Sequence, residues 1–326
     1  TPDIVIPEGA AEGELLIKFV PEMTEILDRT MKTRAAGAST RSGIPSTDEV
    51  LSILGAYDFE RVFPVDSRTE EKSREAGLHL WYLVRFDKNT DLKEAMERLS
   101  GLGEISKLQI NPAIQRAYNP KKKPVPVSEA ALNRMRTRAA ADNGFKFNDA
   151  LLPHQWGYIN RGAYDFATEN APAIVGSDVN CEEAWELCTG DPEIIVAVLD
   201  EGVMYTHEDL TANMWVNEKE QVGSDQDNDG NGYKGDRYGY NFVKDNGNIS
   251  WQAAEDTGHG THVAGTIAAV NGNNKGVCGI AGGDGTKKGV RIMSCQVFDG
   301  DGQVRMVNEA RAIKYAADNG AVILQC

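Results

Sequence analysis

A chain of 326 residues, 41% apolar and 25% charged, can bury a sizeable core and divide into two domains. Its net charge of −15 excludes the basic surface that nonspecific nucleic-acid binding needs, so no nucleic-acid partner is expected. No run of about 18 uncharged apolar residues occurs, so no helical membrane span is expected.

The opening Thr1-Pro2-Asp3-Ile4-Val5 has neither a basic n-region nor an apolar h-region. Either no signal peptide existed or it was removed ahead of this numbering. Five cysteines are too few and too scattered for a dense disulfide framework, and they leave the redox compartment open. Cys181 and Cys188 share one helix face but lie too far apart along its axis to bridge.

Residues 13–117 read as a small α+β unit. Glu14–Val20, Phe59–Val65, Leu78–Phe86 and Ile105–Ile114 have strand character. A helix starts at Asp48 behind the cap-like Ser46-Thr47. Leu92, Ala95, Met96 and Leu99 are spaced i, i+3, i+4, i+7, which predicts a second helix. The order β-α-β-β-α-β is the split βαβ plan of ferredoxin-like domains. Nothing in this unit resembles a reaction centre, and His79 reads as a packed or surface imidazole and not as a ligand.

Residues 118–147 change character. Pro120, Lys121, Lys122, Lys123, Pro124 and Pro126 are followed by Arg134, Arg136 and Arg138. Proline blocks regular ladders and the charges resist burial, so this is an exposed linker. Exposed polar linkers are also where proteases cut, which makes it a candidate processing region.

The stretch 148–326 alternates strands and helices. Trp156 and Trp185 are expected as packing anchors. Cys181–Leu187 is a helix, then Ile194–Leu199 strand, His259–Val270 helix, Val290–Phe298 strand, Val304–Asp318 helix and Ala321–Gln325 strand. Near-continuous apolar strands alternating with helices predict an α/β fold with a parallel sheet covered on both faces.

Two short motifs carry chemistry. Val196-Ala197-Val198-Leu199-Asp200 is an apolar strand ending in a carboxylate, the end at which open α/β sheets place their sites. Gly258-His259-Gly260-Thr261-His262 opens a helix of small residues, with Thr261 expected as its cap. An imidazole at a helix N-terminus is favoured in its neutral, basic form, as a general base requires. His262 is read as a structural histidine facing inward. A metal role for the two histidines lacks a third ligand at suitable spacing.

A third stretch, Asp225 to Asp236, places oxygen donors at Asp225, Asp227 and Asp229, glycine at 230 and a carboxylate at Asp236. That is a calcium-loop pattern with Asp in place of Glu at its last position. Asn231 adds a donor. Crowded carboxylates repel without a cation, so calcium is favoured over a solvated acidic turn.

With these residues in view, Asp200-Glu201-Gly202-Val203 followed 59 residues after Asp200 by His259-Gly260-Thr261-His262-Val263-Ala264-Gly265-Thr266 resembles the subtilisin-like serine peptidases, or subtilases. The resemblance covers about residues 148–326. It implies a subtilisin-like parallel-sheet peptidase domain in which Asp200 orients His259 and His259 takes the proton of a serine. It further implies that residues 13–117 are a propeptide, an intramolecular inhibitor and folding assistant, still covalently attached. Asp209 with Asn273 resembles the family's calcium site. Gly300, Asp301 and Gly302 resemble the segment that pairs with an extended polypeptide substrate.

The family's serine motif G-T-S is absent from these residues, and neither Ser294 nor Cys326 is a credible substitute. The serine-bearing part is therefore expected beyond Cys326, with the chain inactive alone. A nicked enzyme with a second chain, or a shortened polypeptide, is preferred over a natural non-catalytic relative, because a sheet ending at Ala321–Gln325 leaves an open apolar edge. A propeptide and calcium loops point to a secreted or cell-envelope location. The rivals are a non-catalytic binding or inhibitory protein and a calcium-dependent adhesion module.

Overall fold

A computed structural model describes residues 5–33, 41–116, 128–131, 133–134, 144–162, 172–252, 257–299 and 304–326. In chain order the elements are β1 (Ala10–Phe19), α1 (Thr24–Thr33), α2 (Pro45–Ile53), β2 (Asp58–Arg61), α3 (Glu70–Glu75), β3 (Trp81–Arg85), α4 (Leu92–Ser100) and β4 (Ile105–Ile114). They continue with α5 (Cys181–Leu187), β5 (Ile195–Asp200), β6 (Gly239–Asn241), α6 (His259–Ala268), β7 (Arg291–Gln296), β8 (Val304–Arg305), α7 (Met306–Asp318) and β9 (Ile323–Gln325). Two compact units emerge: 1–115 with 227–233 and 303–314, and 116–226 with 234–302 and 315–326.

The first unit is built on an antiparallel sheet of order β2-β3-β1-β4-β8. Strand periodicity of two sends Leu15, Ile17 and Phe19 to one face, where they pack with Tyr82, Val84, Leu51, Ala95 and Leu99. Leu16 and Leu83 take the other face, against Val62, Phe63 and Val307. Asp91 caps α4 by accepting from Lys93 N at 2.8 Å and Glu94 N at 3.4 Å. Phe59 stacks on Tyr82 with ring centroids 4.6 Å apart, and Phe19 meets Tyr82 edge-on at 5.6 Å. Replacing Phe59, 1% exposed, by alanine is expected to cost about 3–5 kcal/mol, read from urea unfolding of this unit.

Several boundaries differ from those read in the sequence. Helix α2 begins at Pro45, whose fixed φ suits a first helical position. Ser46 and Thr47 are therefore inside the first turn, and their hydroxyls donate to Glu104. Strand β2 stops at Arg61, ahead of Pro64. Residues 78–80 form a 3-10 turn behind Gly77 (φ 68°), so β3 starts at Trp81. Helices α1 and α3 were not anticipated. Of the two placements open to His79, packed or surface, the packed one holds: it is 9% exposed, with Nε2 3.1 Å from Thr24 Oγ1.

The second unit carries a parallel sheet of order β6-β7-β5-β9, the α/β architecture expected. Every residue of β5 is buried, which is why its sequence is an unbroken apolar run. Helix α6 covers one face, packing Ala264 and Ala268 against Val196, Val198 and Ile292. Trp185 is an anchor as expected: it is 3% exposed, donates Nε1 to Ile280 O at 2.8 Å and meets Phe147 at 4.9 Å. Trp156 is not, being 46% exposed. None of the five cysteines is in a disulfide. The first two residues expected in the last helix, Val304 and Arg305, pair with Ile114 and Ala113 as β8.

Candidate active site

Asp200 is the last residue of β5, with its backbone carbonyl accepting from Val297 N at 2.9 Å and Phe298 N at 3.2 Å. Its side chain therefore leaves the carboxyl edge of the parallel sheet. Oδ1 accepts from Glu201 N at 2.6 Å and Oδ2 lies 2.7 Å from His259 Nδ1. Burial pushes the Asp200 carboxyl above its usual range, against the opposing bonds from Glu201 N and His259.

His259 opens α6 behind Gly258, the cap residue, whose φ of 79° lies in the left-handed region. Gly260 allows the close approach that brings the two motifs together, since a Cβ there would sit 2.3 Å from Glu201 O. The charge at this helix start is supplied by Glu201. Its Oε2 accepts from Thr257 N (2.9 Å), Gly258 N (3.1 Å) and His259 N (3.2 Å). Sequence reading passed over Glu201, whose only signal was its place beside Asp200. The sheet edge thus presents an imidazole held through Nδ1 by a carboxylate, an arrangement able to move a proton at Nε2.

Thr261 lies inside α6 and is not its cap; its Oγ1 accepts from Met204 N at 3.0 Å. His262 is exposed, contrary to the inward placement expected, because it falls on the helix face opposite Ala264 and Ala268. Ser294 is fully buried within β7, where its Oγ accepts from Val203 N at 3.2 Å.

The other predicted residues fall in three places. Asp209 is 2% exposed, accepting from Asn273 Nδ2 at 2.7 Å and from Val277 N at 3.0 Å. Asp149, which sequence reading missed, is equally buried and accepts from Gly272 N at 2.7 Å and Asn273 N at 3.4 Å. Burial raises both carboxyls above their usual range, and Asp149 adds repulsion at Asp209. Two such carboxylates, both bonded to the loop 272–277, are oxygen donors that could hold a hard cation, which would relieve the cost of burying them.

In the acidic loop, Asp227 is a turn organiser: its oxygens accept from Gly230 N (2.8 Å), Asn231 N (3.2 Å) and Gly232 N (2.8 Å). Asn231 Oδ1 accepts from Tyr233 N at 2.7 Å. Asp229 lies 3.5 Å from Arg68. Asp236 is fully buried and accepts from Asn217 Nδ2 and Tyr315 OH. Glu220, also fully buried and outside the predicted loop, accepts from Gly235 N at 3.2 Å. Asp225 is described but takes no part in these bonds. Gly300, Asp301 and Gly302, and most of the 118–147 linker, lie outside the described residues.

Residues 191–325 match the Subtilase family of peptidases. A subtilisin-like protease 1 of Plasmodium vivax is 33% identical over 199 residues, 60% of this chain and 28% of its own length. A halolysin-like extracellular serine protease, Nep, of Natrialba magadii is 33% identical over 146 residues, 45% of this chain and 22% of its own. Among solved structures, fervidolysin from Fervidobacterium pennivorans aligns with a TM-score of 0.48 and 19% identity, covering 98% of this chain and 36% of that one. The chain thus spans about a quarter of the length of the two curated relatives. Over residues 191–325 the chain is thus similar to the subtilases, the subtilisin-like serine peptidases.

Proposed function

We propose that this chain is the amino-terminal part of a calcium-stabilised serine endopeptidase in its proenzyme form. The observation that carries this is the 2.7 Å contact between Asp200 and His259 at the carboxyl edge of a parallel sheet. In this reading Asp200 holds the proton on Nδ1 and leaves Nε2 free to take one. Nε2 accepts the hydroxyl proton of a serine as its oxygen bonds to the scissile carbonyl carbon. It then delivers that proton to the leaving amine as the C–N bond breaks, and water hydrolyses the resulting ester. The serine is supplied from outside residues 1–326, on a continuing or second chain, so these residues alone are inactive.

Residues 13–117 act as the propeptide and inhibitor, 118–147 as the processing linker and 148–326 as peptidase domain. The ferredoxin-type strand order of the first unit supports this assignment. Gly300, Asp301 and Gly302 pair with a polypeptide substrate. Asp149, Asp209 and Asn273 would hold one calcium, and Asp225, Asp227, Asp229, Asn231 and Asp236 are candidate oxygens for another. Bound calcium supplies charge compensation that rigidifies these loops. An extracytoplasmic location agrees with the extracellular Nep relative.

The test is treatment of the whole protein with a fluorophosphonate probe, beside a peptide-hydrolysis assay. Labelling of one serine and loss of hydrolysis are expected. An unlabelled protein that binds calcium and hydrolyses nothing would favour a binding or inhibitory role instead.

A further inference from the structure

The acidic loop read as a calcium site has a side-chain cation against it. Its residues 227–233 belong to the first unit, together with 1–115. Asp227 commits its oxygens to the turn, as described above, whereas Asp229 Oδ2 faces Arg68, with Nη1 3.5 Å away. Asp229 Oδ1 accepts from Asn231 N at 3.2 Å, and the side chain is 3% exposed. Arg68 is held in that pose by the buried Asp66. Its Nε donates to Oδ1 at 3.0 Å and its Nη2 to Oδ2 at 2.7 Å, a forked pair that leaves Nη1 directed at Asp229. The loop also fits closely against the same segment: a Cβ at Gly232, whose φ is 88°, would lie 2.4 Å from Pro64 Cβ. Residues 64–68 and the loop thus form one packed contact in which a guanidinium meets a buried carboxylate.

Calcium and this guanidinium compete for the same oxygen. Calcium takes carboxylate oxygens at about 2.3–2.6 Å, so an ion on Asp229 Oδ2 falls close to Arg68 Nη1, where the two positive charges repel. Without calcium the guanidinium serves in its place, because a buried carboxylate with no cation is costly. The hold is weak, since Arg68 is 39% exposed and its charge is shared with Asp66. A divalent ion gathering several oxygens can displace it. We propose that Arg68 is a built-in stand-in for calcium at the acidic loop, so that seating of Arg68 on Asp229 and binding of calcium there exclude each other. The inference rests on the calcium reading of this loop and deepens it, by tying the ion's affinity to residues 64–68 of the segment read as the propeptide. Rising calcium then loosens the hold of that segment on the loop.

The test is calcium titration of the whole protein by calorimetry, beside its Arg68→Gln and Asp229→Ala variants. Asp229→Ala is expected to remove one calcium site, which identifies it, and to leave the site of Asp149 and Asp209 in place. Arg68→Gln should tighten that same site by about 10-fold, because a positive charge is withdrawn from the ion's surroundings. In the unaltered protein, saturating calcium should speed amide hydrogen exchange in residues 65–69, a readout that needs no variant if Arg68→Gln fails to fold. Weaker or unchanged calcium binding in Arg68→Gln, or exchange in 65–69 that calcium slows or leaves alone, overturns the inference while the loop remains a calcium site. A calcium stoichiometry unaffected by Asp229→Ala overturns both.

Discussion

His259→Ala in the whole protein is expected to lower peptide turnover by about 10⁶-fold, with little change in substrate affinity; the scale is that of subtilisin, whose family residues 191–325 match. The reason is geometric. His259 Nδ1 is committed to Asp200, so Nε2 is the ring nitrogen left to take and return the proton. Asp200→Asn is expected to cost about 10⁴-fold, because an amide at 2.7 Å from Nδ1 no longer enforces the tautomer that leaves Nε2 unprotonated. Both variants should keep the wild-type unfolding midpoint to within a few degrees. Steady-state kinetics beside thermal unfolding checks this, and a His259→Ala protein hydrolysing at wild-type rate would dismiss the dyad as the proton-transfer unit.

The second large effect concerns calcium. Chelation is expected to lower the melting temperature of the second unit by about 5–10 °C when calcium had stood at a hundred times its Kd. Asp149 and Asp209 set the pH dependence. Burial raises both above the ordinary aspartate value of 3.8, so without calcium the folded chain holds more protons than the unfolded one between 3.8 and the raised values. Stability from these groups is therefore present below 3.8 and lost as pH rises through the folded values. Calcium held by the ionised carboxylates would reverse that trend. The gap between calcium-loaded and chelated protein should thus be wide at pH 7 and close towards pH 4. Asp209→Asn should narrow it at neutral pH. Calorimetry with and without chelator reads both, and a gap independent of pH would refute the assignment of these two carboxylates.

Much of the site was legible in order of its residues. An apolar run ending in Asp200 and a glycine-flanked His259 predict a strand edge facing a helix start, because a fully buried strand has no polar residue to spare until it ends. Apolar spacing likewise located the core face of α4, at Leu92, Ala95 and Leu99. Helix α3, Glu70-Glu71-Lys72-Ser73-Arg74-Glu75, was invisible because six polar residues carry no apolar period. His262 was misplaced because the buried face of this helix is carried by the small residues Ala264 and Ala268, which give little apolar signal, and residue 262 lies on the opposite, solvent side.

By itself, then, the sequence determined the elements whose burial imposes a period on their residues, and the identity of the pair Asp200 and His259. The tertiary structure decided what no period encodes. It brought Asp149 to the loop of Asp209 and Asn273 and turned Asp227 into a turn organiser. It also seated Arg116 on Glu201. Contacts between residues far apart in the chain arise from the packing of whole elements, and isolated polar residues give no sign of them until that packing is complete.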